Sequence, residues 1–252
     1  MLKLILSGCS GHMGRVLCGL CSADPALEVI AGFDILGQND QFPVFSNPAQ
    51  CDLVADAVID FSHPAALDGL LTYGQKYRVP LVLATTGYSQ EQLEQITEAG
   101  VHIPIFRSAN MSLGINVMVS LLKQAASALG KGYDVEIVER HHRRKLDSPS
   151  GTALMLAEAV SSALPHDSEL VYDRHTVRKP REKQEIGISA VRGGTIVGDH
   201  TVIFAGWDEV IEISHHAASR DIFANGALAA AKFLSTVSKP GLYDMSMLVQ
   251  SM

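Results

Sequence analysis

The feature that most limits the fold is a rhythm in the first 107 residues, where short apolar runs alternate with segments whose apolar residues recur at helical spacing. KLILSG (3–8), LEVIAGFD (27–34), AVIDFS (57–62), PLVLATTG (80–87) and HIPIFRS (102–108) read as buried strands. HMGRVLCGLCSA (12–23), PAALDGLLTYGQKYR (64–78) and SQEQLEQITEAG (89–100), the last opened by Ser89 as an N-cap, read as helices. Strand, helix, strand, repeated, points to the α/β class with a Rossmann-like, doubly wound parallel sheet, because parallel neighbours need a crossover and a helix is the usual one.

GCSGHMG, from Gly8 to Gly14, falls where the first strand hands over to the first helix. Glycines there permit a tight turn, let a pyrophosphate approach the backbone and aim helix amides at its charge. Ser10 takes the middle position, so the spacing is G-x-x-G-x-x-G rather than the commoner G-x-G-x-x-G. Asp34 ends the second strand 20 residues past Gly14, where a carboxylate takes the ribose hydroxyls of a dinucleotide. The plainer reading of Gly8, Gly11 and Gly14 is a bare strand-to-helix turn, but position, helix and acid together favour a cofactor. Phe61–Ser62, Ala84–Thr86 and Ser108–Asn110 follow later strands, at the carboxyl ends where an open parallel sheet binds ligands.

After Arg107 the rhythm changes. SANMSLGINVMVSLLKQAASAL (108–129) reads as a long apolar helix, and YDVEIVERHH (133–142) as a strand whose alternation brings acidic side chains to one face. PSGTALMLAEAVSSAL (149–164) reads as a helix with Ala153, Leu156, Val160 and Leu164 on one side. Residues 167–184 are polar, charged and broken by Pro180, the pattern of a mobile loop. ISAVRGGTIVGDHTVIFAGWDEVIEISHH (188–216) alternates like antiparallel strands joined by glycine turns, and SRDIFANGALAAAKFLSTV (219–237) is a helix expected to return to the first domain.

Lys and Arg total 20 against 27 Asp and Glu, and a net charge of -7 argues against a nucleic-acid backbone as the main partner. No run approaches the roughly 20 apolar residues of a membrane span. Cys18 and Cys21 form a C-x-x-C, yet the other cysteines, Cys9 and Cys51, supply no second pair for a zinc cage, and buried reduced thiols are the expectation. With Met1 running straight into a strand, a cytoplasmic location is expected.

Against that acidic background stands ERHHRRKLDSPSGTA, Glu139 to Ala153. In an extended chain His141 and His142 point to opposite faces, which disfavours both ligating one metal, and no metal is expected. An imidazole near pH 7 suits a general acid, with neighbouring cations lowering its pKa and Glu139 raising it. Lys145 supplies a point charge, and PSGT places the amides of Gly151 and Thr152 at a helix N-terminus, where a carboxylate docks. The plainer reading is a solvated basic turn, which suffices for some of Arg140, Arg143 and Arg144 but not for the whole string.

This stretch, together with GCSGHMGR, IDFSHP, ATTGYS, SANMSLGIN, SAVRGGTIVGDHTVIF and ISHHAASRDIFANGA, resembles the 4-hydroxy-tetrahydrodipicolinate (formerly dihydrodipicolinate) reductase family, block by block over nearly the entire chain. The resemblance implies an NAD(P)H-dependent oxidoreductase of lysine and diaminopimelate biosynthesis, which reduces 4-hydroxy-tetrahydrodipicolinate, via dihydrodipicolinate, to tetrahydrodipicolinate. It implies a dinucleotide-binding domain of residues 1–110 completed by C-terminal helices in 218–252. An α+β domain of residues 111–217, with an open mixed sheet, would bind the small dicarboxylate substrate and assemble a homotetramer. By the same resemblance His141 is the proton donor, Lys145 the second catalytic residue, and His142, Gly151 and Thr152 are substrate contacts. The implied cofactor contacts are Gly8, Cys9, Ser10, Gly11, His12, Met13, Asp34, Ala84, Thr85, Thr86, Ser108, Ala109, Asn110 and Met111. Family members that use both cofactors often carry an Arg after the acid or a Lys nearby; here Ile35 follows Asp34, so NADH is expected to be preferred over NADPH.

Two other readings compete. A semialdehyde dehydrogenase would need a nucleophilic thiol in the second domain, and no Cys follows Cys51. A non-catalytic dinucleotide sensor would bind NADH without turnover and gives no reason for His141 and Lys145 to stand beside a helix start.

Overall fold

Leu4, Ile5 and Leu6 are 0% exposed, as a strand covered on both faces must be. The computed structural model of the chain describes residues 1–130 and 132–252 and divides into two units, 1–113 with 221–252 and 114–220. The first unit begins with β1 (Leu2–Ser7), α1 (His12–Ala23), β2 (Leu27–Phe33), β3 (Val44–Phe45), β4 (Ala57–Asp60), α2 (Leu67–Tyr77), β5 (Leu81–Leu83), α3 (Gln90–Gly100) and β6 (Pro104–Arg107). Next come α4 (Leu113–Leu129), β7 (Asp134–His141), α5 (Gly151–Ser161), β8 (Glu169–Val171), β9 (Glu185–Arg192), β10 (Gly198–Ala205) and β11 (Val210–Ala217). The chain then rejoins the first unit with α6 (Asp221–Leu234), β12 (Gly241–Tyr243) and α7 (Met245–Gln250).

The first sheet is parallel throughout, in the order β12-β6-β5-β4-β1-β2-β3. Alternation along β1 divides its core: Leu4 and Leu6 pack with α1 and α6, and Ile5 packs with α2 and α3. This is the expected doubly wound sheet, enlarged by two edge strands, β3 and β12, that are too short to show periodicity. Ser89 does cap α3, in a capping box completed by Gln92. The four cysteines are free, and burial raises the Cys21 thiol to about 11. The helix expected over 108–129 starts only at Leu113. Ser108 Oγ donates to Asn110 O and Ser112 N–H donates to Asn110 Oδ1, side-chain bonds that displace the first helical turn.

The second unit holds a mixed sheet in the order β11-β10-β7-β9-β8, with α4 and α5 on one face. Three expectations are corrected here. β9 and β10 are not hairpin neighbours: β7 lies between them, parallel to β9 and antiparallel to β10. Residues 167–184 contain β8, and this segment is fastened by Arg174 to Glu136 and Glu185 and by Arg181 to Asp134. The acidic residues of β7 do not share one face, since Asp134 and Glu136 alternate away from Glu139.

Two glycines illustrate how tightly the first unit packs. A Cβ on Gly226 of α6 would stand 1.6 Å from the Met111 carbonyl oxygen, whereas one on Gly19, exposed on α1, would meet nothing within 4 Å. Gly226→Ala therefore forces backbone apart and should lower unfolding free energy by about 2 kcal/mol or more, while Gly19→Ala should raise it by about 0.5–1 kcal/mol. Urea denaturation of both variants checks the pair, and a neutral Gly226→Ala would contradict the packing described.

Candidate active site

Val135, Ile137, Glu139 and His141 occupy alternate positions of β7 and all are buried, so the alternation that builds the core also draws a carboxylate and an imidazole inward. Glu139 is 0% exposed, and a buried carboxylate persists only when its lone pairs are met by strong donors. Arg192 supplies two, Nη1 to Oε2 and Nη2 to Oε1, both at 2.7 Å. The Ser150 N–H donates to Oε1 at 3.0 Å, and His141 Nδ1 lies 2.6 Å from Oε2. Arg192 reaches the site because parallel pairing sets it beside His141 on the neighbouring strand.

With Nδ1–H given to Glu139, Nε2 is the ring nitrogen of His141 left for other chemistry. Gly198 flanks it: a Cβ there would lie 3.0 Å from Nε2. The chain leaves β7 after His141 and turns back, with Lys145 N–H donating to His142 O and a cis bond at Ser148–Pro149. Ser150 caps α5, its Oγ accepting from Ala153 N–H, so Gly151 and Thr152 form the first turn of that helix. Lys145 Nζ lies 2.9 Å from Asp147 Oδ1, and that hydrogen bond holds the Asp147 carboxyl below its usual range. Loss of solvent, then the charges of Arg220 and Arg144, hold His142 below the ordinary imidazole range. The second unit thus gathers His141, His142, Lys145, Gly151 and Thr152 around one turn between β7 and the start of α5. It adds three residues that carried no local signal: Arg192, Gly198 and His200.

The remaining expected residues lie at the carboxyl ends of the first sheet. Gly8 has φ +77° and donates to Phe33 O, and a Cβ on it would meet Phe61 O at 2.6 Å. A Cβ on Gly14 would lie 2.3 Å from Gly8 O, so α1 packs directly onto the loop. Gly11 is the N-cap of α1 and has no side chain to cover the first-turn amides. Asp34 follows β2, its Oδ2 accepting from Ser10 N–H at 2.9 Å and its Oδ1 from Leu36 N–H at 3.0 Å. Ala84–Thr86 follow β5, and Ser108–Met111 lie between β6 and α4. A glycine-rich loop leading to an uncapped helix start beside an acid has the form a dinucleotide requires. Among the described residues, no three His, Cys, Asp or Glu side chains gather as a metal site would need, and no helix is long and apolar enough to cross a membrane.

The family model described as "Dihydrodipicolinate reductase, N-terminus" matches residues 2–111, and its C-terminal counterpart matches residues 114–249. A protein named 4-hydroxy-tetrahydrodipicolinate reductase from Caldanaerobacter subterraneus subsp. tengcongensis is 54% identical over 99% of both chains. Its namesake from Clostridium tetani is 49% identical over 100% of this chain and 98% of its own. Among solved structures, dipicolinate-bound dihydrodipicolinate reductase from Paenisporosarcina sp. TG-14 shares the fold, with a TM-score of 0.82 and 22% identity over 97% of both chains.

Burial, then the charge of His141, pushes the pKa of His200 down from 6.5 to about 4, with Glu139 pulling the other way. Between those values the unfolded chain binds a proton that the folded chain refuses, so stability falls as pH drops through the window. At about 1.4 kcal/mol per pKa unit, the loss should be about 3 kcal/mol. Glu139 acts in the same direction at lower pH. Burial alone would raise its pKa, but Arg192, His141 and the Ser150 amide outweigh burial and hold it down, so its contribution vanishes as pH falls through the folded value. Denaturation measured from pH 7 to 4 should show this slope, and His200→Phe should flatten it; an unchanged slope in that variant would refute the assignment.

Proposed function

Since the chain belongs to the dihydrodipicolinate reductase family, we propose that it reduces 4-hydroxy-tetrahydrodipicolinate, by way of dihydrodipicolinate, to tetrahydrodipicolinate with a hydride from NAD(P)H. The reaction belongs to lysine and diaminopimelate biosynthesis. A nicotinamide cofactor, when bound, supplies the hydride. The loop Gly8–Met13 would hold its pyrophosphate, Asp34 its ribose, and Ala84–Thr86 with Ser108–Met111 its remaining length. The bare N-cap at Gly11 and the close approaches at Gly8 and Gly14 support that fit.

The observation that carries the chemistry is the engagement of His141 Nδ1 by Glu139, whose charge Arg192 already balances. In its protonated form His141 then has one remaining donor, Nε2–H, beside the space left by Gly198. It gives that proton to the enamine that hydride addition leaves and recovers another from solvent. Glu139 fixes the ring and its tautomer, and the Arg192 clamp keeps Glu139 ionised and stationary. Lys145 exchanges Asp147, which is half exposed, for a substrate carboxylate, while the Gly151 and Thr152 amides and His142 take up the rest of the dicarboxylate's charge. That the fold neighbour from Paenisporosarcina sp. TG-14 was solved with dipicolinate, a planar dicarboxylate, supports this substrate class.

A thiol mechanism finds no support, since all four cysteines lie in the first unit and burial raises the thiols of Cys9, Cys18, Cys21 and Cys51. Four free thiols suit a reducing cytoplasm. The face of the second sheet away from α4 and α5 carries half-buried Val138 and Ile203 with exposed Val191 and Val210 among the charged Asp134, Glu136 and Arg140, and this mixed face is the one through which the second unit would assemble into a homotetramer. NADH is the preferred cofactor, because Asp34 accepts a free 2'-hydroxyl and repels a 2'-phosphate, and exposed Ile35 and Leu36 beside it offer no cation.

Two measurements test this reading. Oxidation of each cofactor with enzymatically generated substrate should give NADH the higher kcat/KM, and Asp34→Ala should narrow the ratio; a clear NADPH preference in the native enzyme would overturn the reading of Asp34. His141→Gln should lower kcat by about 10² to 10⁴ with KM nearly unchanged. Lys145→Ala should raise KM as well, with Lys145→Arg recovering only part. Near-normal kcat in His141→Gln would reassign the proton donor.

A further inference from the structure

Ser150 serves three partners at once. Its N–H donates to Glu139 Oε1 at 3.0 Å, its Oγ accepts from Ala153 N–H at 3.1 Å as the cap of α5, and the same Oγ lies 3.1 Å from His200 Nε2. His200 is 4% exposed and stands directly opposite Glu139 in the β7–β10 register. Its ring meets that of His141 edge-on, with centroids 5.2 Å apart and planes at 75°. Its other nitrogen, Nδ1, is buried and has no hydrogen-bond partner among the described residues.

That last observation decides the interpretation. A buried ring nitrogen without a partner costs on the order of 1–3 kcal/mol, and Phe would fill the same space without that penalty. Packing alone therefore gives no reason for an imidazole here, whereas the bond to Ser150 does. Burial also keeps His200 neutral near pH 7, so it adds no second positive charge beside His141.

We propose that His200 is a positioning residue: through Ser150 it locks the N-terminus of α5 to β10, so that the proton donor and the carboxylate-binding amides are held at one fixed spacing. The proposal rests on the reading above, in which His141 is the acid and α5 takes a substrate carboxylate. His200 touches neither substrate nor cofactor in this scheme. Its effect passes through Ser150 to the amides of Gly151 and Thr152, and through ring contact to His141.

The probe is pyridine-2,6-dicarboxylate, whose binding to the NADH-loaded enzyme calorimetry reads without turnover. His200→Phe keeps the ring and loses the bond to Ser150. It should weaken dicarboxylate binding about tenfold, the scale of one hydrogen bond, and raise substrate KM similarly, with kcat within about threefold and NADH affinity unchanged. His200→Gln, which restores a polar group at the Nε2 position, should recover most of the loss. Ser150→Ala should weaken binding as well, and the Ser150→Ala, His200→Phe double variant should bind no worse than the weaker single variant. Unchanged dicarboxylate binding in His200→Phe, no recovery in His200→Gln, or additive losses in the double variant would each overturn the proposal. Should His200→Phe fail to fold, the comparison of His200→Gln with Ser150→Ala decides it: Gln must bind near native strength and Ala must not. Failure of the acid assignment shows separately, as near-normal kcat in His141→Gln, and leaves this binding test intact.

Discussion

The candidate site of the second unit is organised around one fully buried carboxylate. Glu139 cannot stay ionised there unless charged and polar donors reach it, and breaking such a buried pair from one side costs about 3–5 kcal/mol. That requirement brings together segments far apart in the chain: Arg192 on β9, 53 residues away, and Ser150 at the head of α5. Once they are in place, the fourth contact of the carboxylate belongs to His141, whose ring is thereby oriented. The orientation of His141, the proton donor of the proposed function, is thus a by-product of satisfying a buried charge, which gives it a rigidity that a surface histidine would lack.

The first unit works on the opposite principle, the absence of atoms. At Gly8 and Gly14 the neighbouring backbone stands closer than any Cβ tolerates, and Gly11 leaves the head of α1 uncovered. A loop so close to its neighbours leaves the start of α1 uncovered by a capping side chain, while Asp34, held by the Ser10 and Leu36 amides, supplies a fixed negative charge beside it. Charge satisfied in one unit and close backbone approach in the other each fix groups to which the proposed function assigns a ligand.

Apolar periodicity made β1, α1, β2 and the later strand–helix pairs of the first unit readable, since burial on both faces of a parallel strand leaves an unbroken hydrophobic run. The turn from Glu139 to Thr152 was readable for a different reason: its histidines, lysine, capping serine and glycine lie within one short stretch, so local chemistry alone suggested an acid beside an anion cradle. β3 and β12 were not readable, because strands of two or three residues complete no period. Nor was the non-helical stretch before Leu113, where Asn110 draws Ser112 away from a first turn that apolar spacing favours.

What the sequence by itself determined, then, was most of the longer strands and helices and the polar cluster that one turn gathers between β7 and α5, because hydrophobic period, capping and turn residues act over a few positions. The order of the second sheet was decided only in three dimensions. The linear succession of β9, a glycine turn and β10 reads as a hairpin, yet β7 lies between them, and from its two sides come Arg192 and His200. No local pattern encodes that insertion. It follows from strand pairing over long separations, in which a register that buries Glu139 must also deliver the donors that keep it charged.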